Sequence, residues 1–345
     1  MPRALLVGGT RFIGRHTVSE LLAHDYTVTT FSRGKATDPF ADTDGVSNYQ
    51  GDRNDRAALE AARDEVDPDI VIDFVGMFPE QIATATEVFA DVDAYVFVSS
   101  GSAYGEQPIP MREDEIPLCE CTPEQATDES MASYGPRKAE CDREVFDAAD
   151  RGVNAMSVRP MLVHGPHDYT QRTDYWLHRL EEYDRVLVPG DGDSLLHRAY
   201  VADVGRALRI VAERGEPGEA YNVADREATT LAGWLELAAE ALDTEVKFVY
   251  ASERELAATD LSPSDFPLFT DEPMLVSTEK LAALGWDSTP LSDAYETTVA
   301  EHLESERDGT DLGPAREAEE AAIDALGPVE SDYDGGVSSK PSRSG

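Results

Sequence analysis

The strongest constraint on this chain is an alternation. Through its first 160 residues, short and nearly continuous apolar segments take turns with segments patterned for helices. Residues 4–7, 26–31, 47–50, 70–75, 94–99 and 153–158 read as strands, because they are short, rich in β-branched or aromatic residues, and bounded by turn formers. Residues 13–23, 56–64, 81–89 and a stretch near 134–149 read as helices between them, with Val18, Leu21 and Leu22 on one face of the first. Strands that are apolar on both faces and separated by helices predict an α/β fold, a parallel sheet covered on both sides.

From about residue 166 the spacing becomes irregular, which predicts a smaller second lobe. A helix over 201–213 returns to the main sheet, and 229–242 and 277–284 are further helices. The expected organisation is a nucleotide-binding domain from 1–165 plus about 199–225, and a substrate lobe from 166–198 and 226–304. The last stretch, 305–345, is acidic and ends in Gly, Ser and Pro, so it is expected to be a disordered tail. Residues 106–130, with their prolines, two cysteines and many acids, are expected to loop over the C-terminal edge of the sheet. No internal repeat is visible.

Charge narrows the function classes. Asp and Glu total 69 against 29 Lys and Arg, a net charge of −40, and the acid is spread along the whole chain. Such a surface resembles that of proteins from salt-loving organisms, where salt screens the self-repulsion. It argues against nucleic acid as the main partner, because phosphate binding relies on cations. No run of 18 apolar residues is present, so no membrane span is expected. The chain enters a strand at once, which leaves no room for a signal peptide and predicts a cytoplasmic protein. Cys119 and Cys121 make half a metal pattern without a second pair, so they and Cys141 are read as reduced structural thiols, and no metal is expected.

The first strand runs into "GGTRFIG", residues 8–14. Gly8 suits a tight turn off the strand, and Gly14 lets the next helix pack against it. The helix N-terminus then offers free N–H groups to a phosphate. Thr10, Arg11, Phe12 and Ile13 complete this cofactor loop, with Arg11 where a glycine usually admits a pyrophosphate. The end of the second strand normally selects the dinucleotide, since an acid there bonds the ribose and repels a 2′-phosphate. This chain has Ser32 and Arg33 instead, which favours NADP(H), with NAD(H) the alternative.

The fifth strand runs into "SSGSAYG", and "SYGPRK" follows. Tyr134 and Lys138 are four apart and share a helix face. A phenol with a pKa near 10 is a poor base at neutral pH, and a nearby ammonium lowers that value. Tyr134 is therefore read as acid/base, Lys138 as its tuner and a cofactor ligand, and Ser100 as a hydrogen-bond clamp on the same substrate oxygen. Gly135-Pro136 fits only if the helix begins near Ser133.

Together these motifs resemble the extended branch of the short-chain dehydrogenase/reductase superfamily, its NAD-dependent epimerases and dehydratases. The likeness covers about residues 3–300 and implies a Rossmann-like doubly wound parallel sheet with a smaller C-terminal substrate lobe. It assigns "GDRND" at 51–55, with Asp52 and Arg53, to the adenine side, and Val75 and Gly76 to the cofactor ribose. "VRPMLVHGP" is similar to the family's strand beside the nicotinamide, so His164 and His167 are candidate substrate contacts, although two histidines in one loop are more often structural, and Ser102 in "SSGSAYG" is a further candidate. "HRAYVADVGRAL" and "EAYNVAD" match later family motifs. The implied substrate is a secondary alcohol or ketone, a nucleotide sugar by family precedent, and a homodimer is a further implication.

The "GGTRF" form is similar to an atypical subgroup that includes chloroplast stem-loop-binding proteins, which are associated with RNA. That leaves two further hypotheses, a weakly catalytic nucleic-acid-associated protein and an NADP-sensing regulator. The intact Ser100, Tyr134 and Lys138 set and the charge of −40 favour the enzyme. No acid flanks Ser100, which weakens the dehydratase option within it.

Overall fold

The computed structural model describes residues 1–35 and 37–327. It opens with β1 (Arg3–Val7), α1 (Phe12–Ala23), β2 (Thr27–Ser32), β3 (Val46–Gln50), α2 (Arg56–Val66) and β4 (Ile70–Asp73). Next come α3 (Pro79–Val88), β5 (Ala94–Val98), α4 (Tyr134–Asp150), β6 (Ala155–Pro160), β7 (Leu162–His164) and α5 (Arg172–Glu182). Then follow β8 (Arg185–Pro189), β9 (Arg198–Tyr200), α6 (Val201–Arg214), β10 (Ala220–Val223) and α7 (Leu231–Leu242). The described chain closes with β11 (Lys247–Ala251), α8 (Glu253–Ala257), α9 (Glu279–Ala283), α10 (Leu291–Glu304) and α11 (Arg316–Leu326).

Seven strands form one sheet in the order β10-β6-β5-β4-β1-β2-β3, all paired in parallel. The alternation of β1 shows why its sequence is apolar throughout. Ala4 and Leu6 join the core beneath α1 and α6, with Val18, Leu21, Val204 and Leu208. Leu5 and Val7 face the other way, toward Leu59, Ile82 and Val145 from α2, α3 and α4. The strand order reverses between β1 and β4, and open parallel sheets bind ligands beyond the C-terminal ends of strands at such a point. β4 stops at Asp73, two residues before the sequence reading. Val75 N turns out of the ladder to donate to Asp73 Oδ1 at 3.0 Å.

A second core gathers α5, β8, α7, β11, α10 and α11 around Trp176, Trp234 and Tyr295. The Trp234 and Tyr295 rings stack at 5.8 Å, and Trp176 meets Trp234 edge-on at 6.3 Å. The 106–130 segment crosses toward this part of the chain. Met111 N donates to Leu275 O at 2.7 Å, and Ser277 N donates back to Met111 O at 2.8 Å.

The expectation of a disordered tail from 305 is corrected in part. Residues 316–326 form α11, whose Glu319, Ala322, Ile323 and Leu326 recur at i, i+3, i+4 and i+7. That spacing puts them on one face against the second core. The buried Glu319 carboxylate accepts from Tyr175 Oη at 2.6 Å and Arg179 Nε at 2.7 Å. The rest of the expected tail, 328–345, lies outside the described residues.

Candidate active site

The glycine loop closes as its residue types require. Gly8 has φ +92°, and a Cβ there would lie 2.4 Å from Val75. Thr10 N donates to Gly8 O at 2.9 Å, which completes the turn. A Cβ on Gly14 would sit 2.5 Å from the Gly9 backbone, so only glycine lets α1 start this close to the loop. Phe12 is buried, and Ile13 packs partly against the same core. Arg11 needs no special backbone, because its φ of −123° is ordinary extended geometry. It is exposed and gives α1 no side-chain cap, so the first N–H groups of the helix stay free for an anion. Val75, 38% exposed, packs closely against Gly8 at the switch point.

Ser32 ends β2, and its Oγ accepts from Gly34 N at 3.4 Å and Asn48 Nδ2 at 3.2 Å. Arg33 follows, exposed, and its guanidinium has no carboxylate partner among the described residues. The same holds for Arg11, Arg15 and Lys35 among the described residues. Asp52 is exposed beyond β3, and its Oδ1 accepts from Asn54 N at 3.0 Å.

Arg53 departs from the expected cofactor contact. Its side chain turns inward and pairs with the fully buried Asp73, which also accepts from Tyr95 Oη at 3.0 Å. Arg53 thus braces the Val75 turn from beneath.

Two of the catalytic candidates meet the end of β5, Ser100 in the chain that follows it and Lys138 through its side chain, while Tyr134 begins α4. Lys138 is buried, its Nζ donating to Val98 O at 2.8 Å and Gly76 O at 3.0 Å, 4.2 Å from the Phe97 ring centre. Two of the three ammonium protons therefore tie α4 to the ends of β4 and β5. Tyr134, half-buried, begins α4, so Gly135 and Pro136 fall in its first turn, where proline is tolerated. A Cβ on Gly135 would lie 2.5 Å from Ser102 O, so this turn is seated directly on the segment after Ser100. Ser100 Oγ accepts from Ser102 N at 3.1 Å, and Ser102 itself is exposed. Asp128 fixes the lead-in to α4 by accepting from the hydroxyls of Ser130 and Ser133. Those bonds hold its carboxyl down at about 2.

The two histidines fare differently from the substrate contacts expected of them. His164 is fully buried, its Nε2 3.2 Å from Asp225 and its ring stacked on Tyr295 at 5.0 Å, so its place is in the packing. His167 Nδ1 lies 3.2 Å from Glu301 of α10, and its ring is 6.0 Å from that of His16 on α1. Burial lowers the pKa of both His16 and His167.

Two residues that matter to this geometry are not singled out for it by the sequence. Asp73 is an acid ending an otherwise apolar strand, and that is its only signal in the sequence. Gly135 has only its awkward position in a helix.

Residues 4–224 match the model of the NAD dependent epimerase/dehydratase family. Over 298 residues the chain is 26% identical to the chloroplast stem-loop binding protein of 41 kDa b of Arabidopsis thaliana, covering 82% of this chain and 74% of that protein. It is 24% identical over 326 residues to the dTDP-D-glucose 4,6-dehydratase of Mus musculus, covering 86% and 87%. Among solved structures, the dTDP-glucose 4,6-dehydratase of Bacillus anthracis in complex with NAD superposes with a TM-score of 0.70 at 18% identity, covering 89% and 98%. The UDP-glucose 4-epimerase of Thermotoga maritima with UDP-glucose gives 0.65 at 19%, covering 88% and 99%. These structural likenesses establish the fold. Among the described residues no helix is long and apolar enough to cross a membrane.

Proposed function

The chain belongs to the NAD-dependent epimerase/dehydratase family, and we propose that it acts on a secondary alcohol or ketone of a nucleotide sugar, with Tyr134 as acid/base. The observation that carries this reading is Lys138, anchored across Gly76 O and Val98 O one helical turn after Tyr134. Bound nicotinamide would supply hydride exchange at the substrate's carbinol carbon. Tyr134 Oη takes the proton from the substrate hydroxyl and gives it back to the carbonyl in the reverse direction. Lys138 places fixed positive charge beside that proton transfer, in a buried setting where it acts strongly. Its third N–H has no hydrogen-bond acceptor among the described residues and is assigned to the cofactor ribose. Ser100 donates to the same substrate oxygen as Tyr134. Relatives named as acting on dTDP- and UDP-sugars support the substrate class.

The cofactor is proposed to be NADP(H). Ser32 and Arg33 occupy the strand end where an acid would repel a 2′-phosphate, and Arg33 is unpaired. Calorimetric titration with NADPH and NADH tests this directly. Tighter NADPH binding that Arg33→Glu reverses is expected, whereas tighter NADH binding would discard the preference and keep the enzyme. For the chemistry, Tyr134→Phe should cut turnover of UDP- or dTDP-sugars by about 100-fold or more with cofactor affinity unchanged. Full activity in that variant would overturn the assignment.

A second reading is favoured by one observation, the 26% identity to a protein named for stem-loop binding. It requires RNA affinity that falls steeply with salt and survives Tyr134→Phe.

A further inference from the structure

Arg11 raises a question that the cofactor reading leaves open, because its side chain caps nothing and pairs with no carboxylate among the described residues. Its guanidinium lies over the Tyr169 ring, 5.5 Å from the centre. The same ring meets Phe12 edge-on, at 6.4 Å and 84°. Tyr169 is 60% exposed, so a large aromatic ring stands in solvent beside the N-cap and first residue of α1, Arg11 and Phe12. Two solvent-facing groups of this kind add little to folding. Their placement needs another reason.

The segment carrying Tyr169 is held rigidly. Pro166 O is 3.1 Å from His16 Nε2 on α1, and His167 is paired with Glu301. Asp168 Oδ1 accepts from Thr170 N at 2.9 Å and Thr170 Oγ1 at 2.7 Å, which shapes the turn around the tyrosine. Gly165, His167 and Gln171 all have φ in the left-handed region, at +129°, +69° and +57°. Two non-glycine residues in that region within five positions mark a loop whose shape is imposed by its surroundings.

We propose that Arg11 and Tyr169 form a clasp over the glycine loop, in which Tyr169 holds the Arg11 guanidinium across the start of α1 and so slows release of a bound dinucleotide through its pyrophosphate. This rests on the cofactor reading above. The pyrophosphate would meet the free N–H groups of α1 on one side and the guanidinium on the other, and a guanidinium fork suits phosphate oxygens. The ring's negative face keeps the cation above the loop while no anion is present, so little side-chain freedom is lost when one arrives. The exchange of glycine for arginine in "GGTRFIG" thereby becomes a gain of grip.

The test follows release of NADPH, or of NADH if that binds tighter, by the decay of its fluorescence on chasing with excess oxidised cofactor. Tyr169→Ala and Arg11→Ala are each expected to speed release about fivefold, from the usual strength of an exposed cation–π pair. Tyr169→Phe keeps the ring and should stay within about twofold of wild type. The double alanine variant should release no faster than Arg11→Ala, because the tyrosine acts only through the arginine. Affinity for adenosine 2′-monophosphate, which lacks both pyrophosphate phosphates, should be unchanged in Tyr169→Ala. An unchanged release rate in Tyr169→Ala, multiplicative effects in the double variant, or an equal loss of adenosine 2′-monophosphate affinity would each overturn the clasp alone. Failure of the wild-type chain to bind either dinucleotide would overturn the cofactor reading, and the clasp with it.

Discussion

Gly135 is where a single missing carbon lets α4 seat on the segment after Ser100. A methyl group there would press to 2.5 Å from Ser102 O, and a backbone oxygen cannot swing aside as a side chain can. Gly135→Ala should therefore lift the first turn of α4, move Tyr134 away from Ser100, and lower kcat by about 100-fold, the usual cost of a misplacement near 1 Å. Lys138 sits one turn further on, so cofactor affinity should change far less. Equal losses in both would show that the whole helix had moved. Asp73 carries the complementary case for stability. Removing it leaves the Arg53 guanidinium buried and unpaired, so Asp73→Ala should cost about 3–5 kcal/mol in urea unfolding. The double variant Arg53→Met/Asp73→Ala should recover much of that loss. If it does not, lost packing around Tyr95 outweighs the unpaired charge. These residues also mark the limit of legibility. Tyr134 and Lys138 fall one turn apart on α4, and Ser100 follows the end of β5, because one helix period and one strand end fix them. Arg53 and His164 turn inward to Asp73 and Asp225, 20 and 61 residues away, and no local pattern announces such partners.

At the scale of elements, the parallel sheet is readable because each strand is apolar on both faces and each helix keeps its period. α11 escapes a reading of the sequence, since its acidic composition hides a four-residue inward face built partly from a glutamate. That glutamate is the element's anchor. Glu319 is 1% exposed and accepts from both Tyr175 and Arg179, while Arg179 Nη2 reaches Pro314 O at 2.9 Å. Glu319→Ala should leave Arg179 buried without its carboxylate and cost about 3–5 kcal/mol. α11 should then become the first site cut in limited proteolysis. An unchanged proteolysis pattern would mean that Ala322 and Ile323 hold the helix without the ion pair. The clasp belongs to this scale as well, since Tyr169 lies outside every motif and finds Arg11 only through the fold.

Across the whole molecule, two sets of buried titratable groups act in opposite directions as acid is added. Burial lowers the pKa values of His16, His167 and His197 below their ordinary 6.5. The unfolded chain then binds these protons more readily than the folded one, so stability should be lost as pH falls through about 6.5. Buried Glu113, Asp168 and Asp203 have raised values, so their protonation favours the folded state, but only in the more acidic range nearer carboxylate values. Between pH 7.5 and 5.5 the histidines should dominate and Tm should fall, whereas a rise would place the carboxylates first. Salt acts on the larger quantity, the net charge of −40. The Debye length shrinks from about 10 Å at 0.1 M to about 3 Å at 1 M, so repulsion between separated surface acids is screened within that range. Self-repulsion should therefore be largely removed within that interval, and Tm in KCl should climb steeply up to about 1 M and then flatten. Chloride is the right anion for this measurement, because sulfate raises Tm by exclusion from any protein surface. A Tm independent of KCl would mean that ion pairs such as Arg209 with Glu20 and Glu213 already balance the acid locally, whereas a continued linear climb beyond 1 M would point to ion binding.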